Sequence, residues 1–202
     1  VLRFFDAVND AMVMCVHLIM KFAPYGVLAL VAIVVGQSGY TVLVALLVYT
    51  LTVMAGLATH ALGVYTTVVR VFGGIRLVDF WRAMRPAQLL GFSTSSSSAT
   101  LPVTMECAER NLGVSNQVSS FVLPLGATVN MDGTALYQGV AAVFIAQVFD
   151  IHLGLGDQVS IVLTATLASI GAAGLPSVGM ITLALVLNHM RGPTVREAPI
   201  LL

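Results

Sequence analysis

Two stretches of this chain hold no Asp, Glu, Lys or Arg: Phe22 to Val69, and Gln158 to Met190. Each exceeds the roughly 20 apolar residues that a helix needs to cross a bilayer. Two more charge-free runs, 111–131 and 133–149, flank one acidic residue, Asp132. Only 9% of the residues are charged, against about 25% in ordinary soluble domains. A soluble protein would have to bury all four runs and keep very little charge for its surface. The reading is therefore an all-α integral membrane protein, since a helix satisfies its own backbone groups in lipid. A formal net charge of zero gives no footprint for nucleic acid. Cys15 and Cys107 have no metal-ligand spacing and form no disulfide framework. Residue 1 is a valine and helical sequence starts almost at once, so no signal peptide is expected. The chain reads as an internal piece of a longer protein, or as a truncated product.

Taken in order, residues 1–8 are expected to be a linker or the end of a preceding element, and 9–35 a first long helix. Pro24 lacks a donor and can kink it. His17 and Lys21, four apart, mark either a polar face or a snorkelling helix end. Residues 36–39 turn the chain into a second helix over 40–72, where Gly56 and Gly63 would permit close packing. His60 lies in its middle, as a proton carrier or as a packing histidine satisfied by another helix. Arg70, Arg76, Arg82 and Arg85 then cluster, which puts this loop in the cytoplasm. Asp150, His152 and Asp157 form an acidic loop on the opposite side.

Three elements between these loops read as broken. Over 79–110, helical sequence is interrupted by Ser93-Thr-Ser-Ser-Ser-Ser-Ala-Thr-Leu-Pro102. Each arm is near ten residues, about 15 Å at helical rise and half a bilayer, which predicts a re-entrant hairpin. The alternative is a serine-rich linker in water, but an apolar pattern resumes at once after Ser98. The helix over 115–149 is interrupted at 130–134 by Asn-Met-Asp-Gly-Thr. Asn and Gly are poor helix formers, and a carboxylate at that depth needs a cation, a proton or a polar partner. Residues 158–188 could form one spanning helix, but Ser169-Ile-Gly-Ala-Ala-Gly-Leu-Pro176 at their centre favours a second hairpin. Ser95–Pro102 and Ser169–Pro176 share Ser, Ala, Leu and Pro at equivalent positions. Paired broken elements in two halves point to an inverted-repeat transporter site.

These three motifs, Ser95–Pro102, Asn130–Thr134 and Ser169–Pro176, closely resemble in order and spacing those of the dicarboxylate/amino acid:cation symporters, the glutamate-transporter family. The likeness covers nearly all of 9–193. It implies a sodium-coupled symporter rather than an enzyme, multi-pass in the plasma membrane, with Na+ co-transported and no organic cofactor. It implies a homotrimer in the complete protein, in which a transport domain moves as an elevator against a scaffold. Residues 1–39 would carry the scaffold-type fifth helix. Residues 40–193 would be a portion of the transport domain: sixth helix 40–72, first hairpin 79–110, seventh helix 115–149, second hairpin 156–188. A tail follows over 194–202. By the same resemblance, Ser96, Ser97, Met131, Thr134, Leu175 and Gly179 meet or border the substrate. Sodium ligands would come from Gly126, Thr128, Asn130, Asp132, Ser169, Ile170 and Ala172. Gln138 stands where mammalian acidic amino acid carriers have a glutamate linked to potassium return, and Ser95 where some prokaryotic members have an arginine.

The substrate implied is an acidic or small neutral amino acid or a C4-dicarboxylate. The resemblance leaves out the first four helices and the eighth, which carries further substrate contacts. A non-transporting fragment and a channel-like pore with hairpin filters therefore stand as alternatives.

Overall fold

The computed structural model describes residues 2–172, 174 and 178–190. Leu175 and the tail over 194–202 lie outside the described residues. All regular structure among the described residues is helical. The chain divides into two compact units, residues 1–48 and 49–202.

The first unit holds α1 (Leu2–Ser38) and the start of α2 (Thr41–Thr59). Residues 2–8, expected to be a linker or the end of a preceding element, are instead the start of α1. Nothing in Leu2–Val8 breaks a helix, and a formed nucleus extends at little cost through ordinary residues. The helix also continues through Pro24. It ends where Gly39 takes φ +77° and its N–H donates to the Val35 carbonyl at 2.8 Å, the left-handed stop that glycine accepts without penalty.

In the second unit, α2 runs through a π-helical turn (His60–Tyr65) into α3 (Thr66–Phe72). Thr41–Phe72 is thus one apolar rod of 32 residues. Leu51, Met54, Leu62 and Val68 stand exposed along it, as lipid-facing side chains would. Gly56 brings this rod close to a later helix: a Cβ there would sit 3.1 Å from Leu136 Cδ2. Gly63, expected to do the same, faces open space, so the packing role belongs to Gly56 alone. Gly73 ends the rod tightly; a Cβ on it would be 2.7 Å from the Val69 carbonyl oxygen.

A hairpin follows. Its rising arm is divided into α4 (Leu77–Ala83) and α5 (Arg85–Thr94), separated by Met84 at φ −91°, ψ 0°. Pro86 lies in the first turn of α5, where its missing N–H leaves no carbonyl unpaired. The returning arm is α6 (Ser97–Glu106), extended by a second π-helical turn (Cys107–Asn111). Asn111 ties the base of the hairpin together by donating from Nδ2 to the Ala83 carbonyl at 2.8 Å. Glu109 then fixes the next helix: its Oε1 accepts from Asn116 Nδ2 at 3.0 Å and from the Ser119 hydroxyl.

That helix, α7 (Asn116–Val129), is separated from α8 (Asp132–Val148) by Asn130 and Met131 only. The interruption is shorter than the sequence suggested, because Asp132 opens α8 and Gly133 and Thr134 follow in helical conformation. An acidic residue is favoured in that first turn by the helix dipole. Finally α9 (Leu155–Ile170) and α10 (Val178–Met190) pack against each other and against α8. Ala142, Ile161, Ala165 and Val186 form their common core. The two alanines among them, Ala142 and Ala165, let the helix backbones approach closely.

Candidate functional site

Three backbone features converge in the second unit. The first is the tip of the α5–α6 hairpin. Ser95 is left-handed at φ 50° and Ser96 is extended at φ −134°, so the chain reverses within two residues. Ser96 then caps α6, its hydroxyl accepting from Ala99 N–H at 3.2 Å. Serine suits both tasks, since a short hydroxyl side chain can satisfy the free donors of a helix N-terminus.

The second feature is the end of α9. Ser169 and Ala172 are buried there. The Ser169 carbonyl accepts from Gly171 N–H and, at 3.1 Å, from Ala172 N–H. Two residues further on, the Gly174 carbonyl accepts from the Ser96 hydroxyl at 2.8 Å and from Ser98 N–H at 3.1 Å. The two interrupted segments that share Ser, Ala, Leu and Pro therefore meet. A side chain at Gly174 would require its neighbours to shift, since a Cβ would be 2.7 Å from Ser98 Oγ and 3.1 Å from Ser98 N.

The third feature is the break between α7 and α8. Asn130 N–H makes a last helical bond to the Gly126 carbonyl at 2.9 Å, and α8 restarts with Thr134 and Ala135 donating to the Met131 carbonyl. A helix end leaves its last carbonyls without intrahelical donors. Gly126, Ala127 and Asn130 from this helix end line a cavity of about 380 Å³. Its walls include Ser95, Ser96, Ser97 and Thr100 from the hairpin and Gly126 and Asn130 from α7.

Among the residues singled out in the sequence, the cavity gathers Ser96, Ser97, Gly126 and Asn130. Thr134 and Gly179 meet separately: a Cβ on Gly179 would be 3.2 Å from Thr134 Cγ2. Ser169, Ile170 and Ala172 cluster at the end of α9. Thr128 is exposed and spends its hydroxyl on the Leu125 carbonyl at 3.0 Å. Met131 sits in the break itself. Asp132 faces the π-helical turn, where Oδ2 contacts His60 Nε2 at 3.1 Å and accepts from the Tyr65 hydroxyl at 3.2 Å.

This last pairing gives His60 a partner on another helix, as the packing reading expects. Tyr65 was not singled out. Five positions apart on an α-helix, the two residues would point about 140° from each other. The wider π turn brings them together, with ring centroids 4.8 Å apart. Gly174 and Thr182 also escaped notice as partners of Ser96 and Gln138. The donor chemistry is carbonyl, hydroxyl and one carboxylate. Among the described residues no group of three His, Cys, Asp or Glu side chains gathers. Such oxygen donors suit a hard cation and not a transition metal.

Residues 1–202 match the model of the sodium:dicarboxylate symporter family. The chain is 46% identical over 201 residues to excitatory amino acid transporter 4 of Mus musculus, covering 95% of this chain and 34% of the relative. It is 45% identical over 191 residues to excitatory amino acid transporter 3 of Homo sapiens, covering 94% and 36%. It is 45% identical over 194 residues to excitatory amino acid transporter 1 of Homo sapiens, covering 95% and 36%. The chain thus spans about a third of the length of the curated relatives it matches. Matched over residues 1–202 by one family model, the chain belongs to the sodium:dicarboxylate symporter family.

Proposed function

We propose that this chain forms part of a sodium-coupled symporter of the plasma membrane that carries an acidic amino acid of the glutamate or aspartate type. The observation that carries the reading is the junction of the two tips at Gly174, beside the cavity that also receives the open end of α7. An anionic substrate finds hydroxyls and a helix N-terminus there. Sodium ions find three sets of oxygens: the carbonyls of Gly126 and Asn130, a backbone cage of Thr128, Ser169, Ile170 and Ala172, and the side chains of Asn130 and Asp132. Ser96, Ser97 and Thr134 face the substrate; Met131 lies between substrate and ion; Leu175 and Gly179 border the gate.

On this reading residues 79–110 and 156–188 are re-entrant hairpins, related by an inverted repeat. The complete protein is a homotrimer embedded in membrane lipid, and residues 40–193 move as part of an elevator against scaffold helices that include α1. Each ligand binds better when the other is present, which is coupling by reciprocal linkage. No covalent bond changes, so the activity is transport and not catalysis. The resemblance alone also allows small neutral amino acids and C4-dicarboxylates. The names of the three relatives favour an amino acid.

Uptake of labelled aspartate by the full protein in liposomes tests the proposal. An inward sodium gradient should drive accumulation, and preloaded unlabelled substrate should produce counterflow. Passive equilibration without counterflow would overturn it in favour of a pore.

A further inference from the structure

We infer that His60 and Tyr65 are positioning residues that take the place of the cation on Asp132 when the site is empty. The inference rests on the reading of Asp132 as a sodium ligand.

Asp132 begins α8 in the middle of an apolar region, with its side chain about one-third exposed at 30%. A carboxylate at that depth is costly without a partner. Oδ2 has two, the Tyr65 hydroxyl at 3.2 Å and His60 Nε2 at 3.1 Å. With its proton on Nε2, the imidazole donates as the phenol does. Both come from one π-helical turn in an otherwise α-helical rod. Without that turn the two side chains would diverge, so the irregular backbone is what places the phenol and the imidazole on one oxygen.

The consequence concerns release. A carboxylate that binds sodium in a low-dielectric site binds it too well unless something else stabilises the bare anion. Two hydrogen bonds to Oδ2 lower the free energy of the cation-free carboxylate and do nothing comparable for an ion held elsewhere around it. They weaken sodium binding and make the empty carrier reachable. Since net uptake needs the empty carrier to return and exchange does not, the pair should govern one mode and spare the other.

The experiment uses the full chain in proteoliposomes with two readings: the half-saturating sodium concentration, and net uptake against exchange at saturating sodium. Tyr65→Phe removes one oxygen and keeps the ring. It should lower half-saturating sodium by about three- to tenfold, the scale of an ordinary net hydrogen bond. Net uptake should slow and exchange should stay unchanged. His60→Leu should act the same way, and His60→Gln, whose amide can still donate, should restore normal values. Unchanged or raised half-saturating sodium in both Tyr65→Phe and His60→Leu would overturn the inference. Asp132→Asn separates this from the parent reading. If it alters sodium dependence while the other two variants do not, only the inference about His60 and Tyr65 falls. If it leaves sodium dependence intact, the cation role of Asp132 falls and takes the inference with it.

Discussion

The Ser96 hydroxyl donates to the Gly174 carbonyl at 2.8 Å, across a sequence separation of 78 residues. The same oxygen receives Ser98 N–H at 3.1 Å. One carbonyl thus occupies two donors at the N-terminus of α6, where an anionic ligand would bind. On the proposed function, a substrate arriving at these donors must displace it.

Gly174→Ala should therefore part the tips. Its Cβ would lie 2.7 Å from Ser98 Oγ, 3.1 Å from Ser98 N and 3.2 Å from Ser97 Cβ, and two of those neighbours belong to the capped first turn of α6. Hydrogen exchange at the Ser98 amide should accelerate. Ser96→Ala should give a smaller increase, because it removes one hydrogen bond worth about 1 kcal/mol and leaves the amide contact. Equal protection in the parent and in Gly174→Ala would contradict a closed junction.

Gly179 is expected to be equally intolerant, for a different neighbour. A Cβ there would meet the Tyr137 hydroxyl at 2.7 Å and Tyr137 Cε1 at 2.9 Å. Gly179→Ala should lower the thermal midpoint in detergent, at the scale of overpacking, about 1–3 kcal/mol. Adding Tyr137→Phe removes the nearer atom and should recover part of the loss. Simple additivity of the two changes would show that the contact does not govern the spacing of α8 and α10.

Much of this architecture is legible in the sequence because it is written in charge and in helix breakers. The charge-free runs give the long helices, and Ser93–Pro102 and Asn130–Met131 mark interruptions that the fold realises. What escapes is local geometry without a propensity signal. Residues 2–8 contain no breaker, so they belong to α1 and not to a linker or a separate preceding element. Gly133 looks like part of the break, yet it sits in the first turn of α8, where glycine costs little. The His60–Tyr65 π turn contains nothing that a 3.6-residue period can flag, so the second partner of Asp132 is visible only in the structure. Gly174 acts through its carbonyl, which every residue possesses.

Glu109 anchors the start of α7 to the base of the hairpin, accepting from Asn116 and Ser119. Ser119 is 1% exposed, so removing its acceptor leaves a buried hydroxyl with only the weaker Asn116 carbonyl at 3.2 Å. Glu109→Ala should destabilise by about 1–3 kcal/mol. Ser119→Ala in that background should add little, since the group left unsatisfied is then gone. A double-mutant cycle on thermal midpoints checks this, and full additivity would refute the coupling.

Gln138 is fully buried, at 0% exposure, and its Nε2 donates to the Gly179 carbonyl at 2.9 Å and to Thr182 Oγ1 at 2.5 Å. Both acceptors lie on α10, so this amide is the polar tie between α8 and the far arm of the α9–α10 pair. Gln138→Leu keeps the volume and removes both donors. Because Thr182 Oγ1 also reaches the Gly179 carbonyl at 3.1 Å, that oxygen stays satisfied, and the loss should be modest, about 1–2 kcal/mol. Gln138→Glu is nearly isosteric but, when ionised, offers acceptors only, and it would set a charged oxygen against the Gly179 carbonyl. The glutamate variant should therefore unfold at lower temperature than the leucine variant at neutral pH. It should recover as the pH is lowered and the carboxyl gains a proton to donate. Leucine should show no such recovery. A glutamate variant as stable as the parent at neutral pH, with no acid dependence, would mean that the donation from residue 138 does not hold α10 in place.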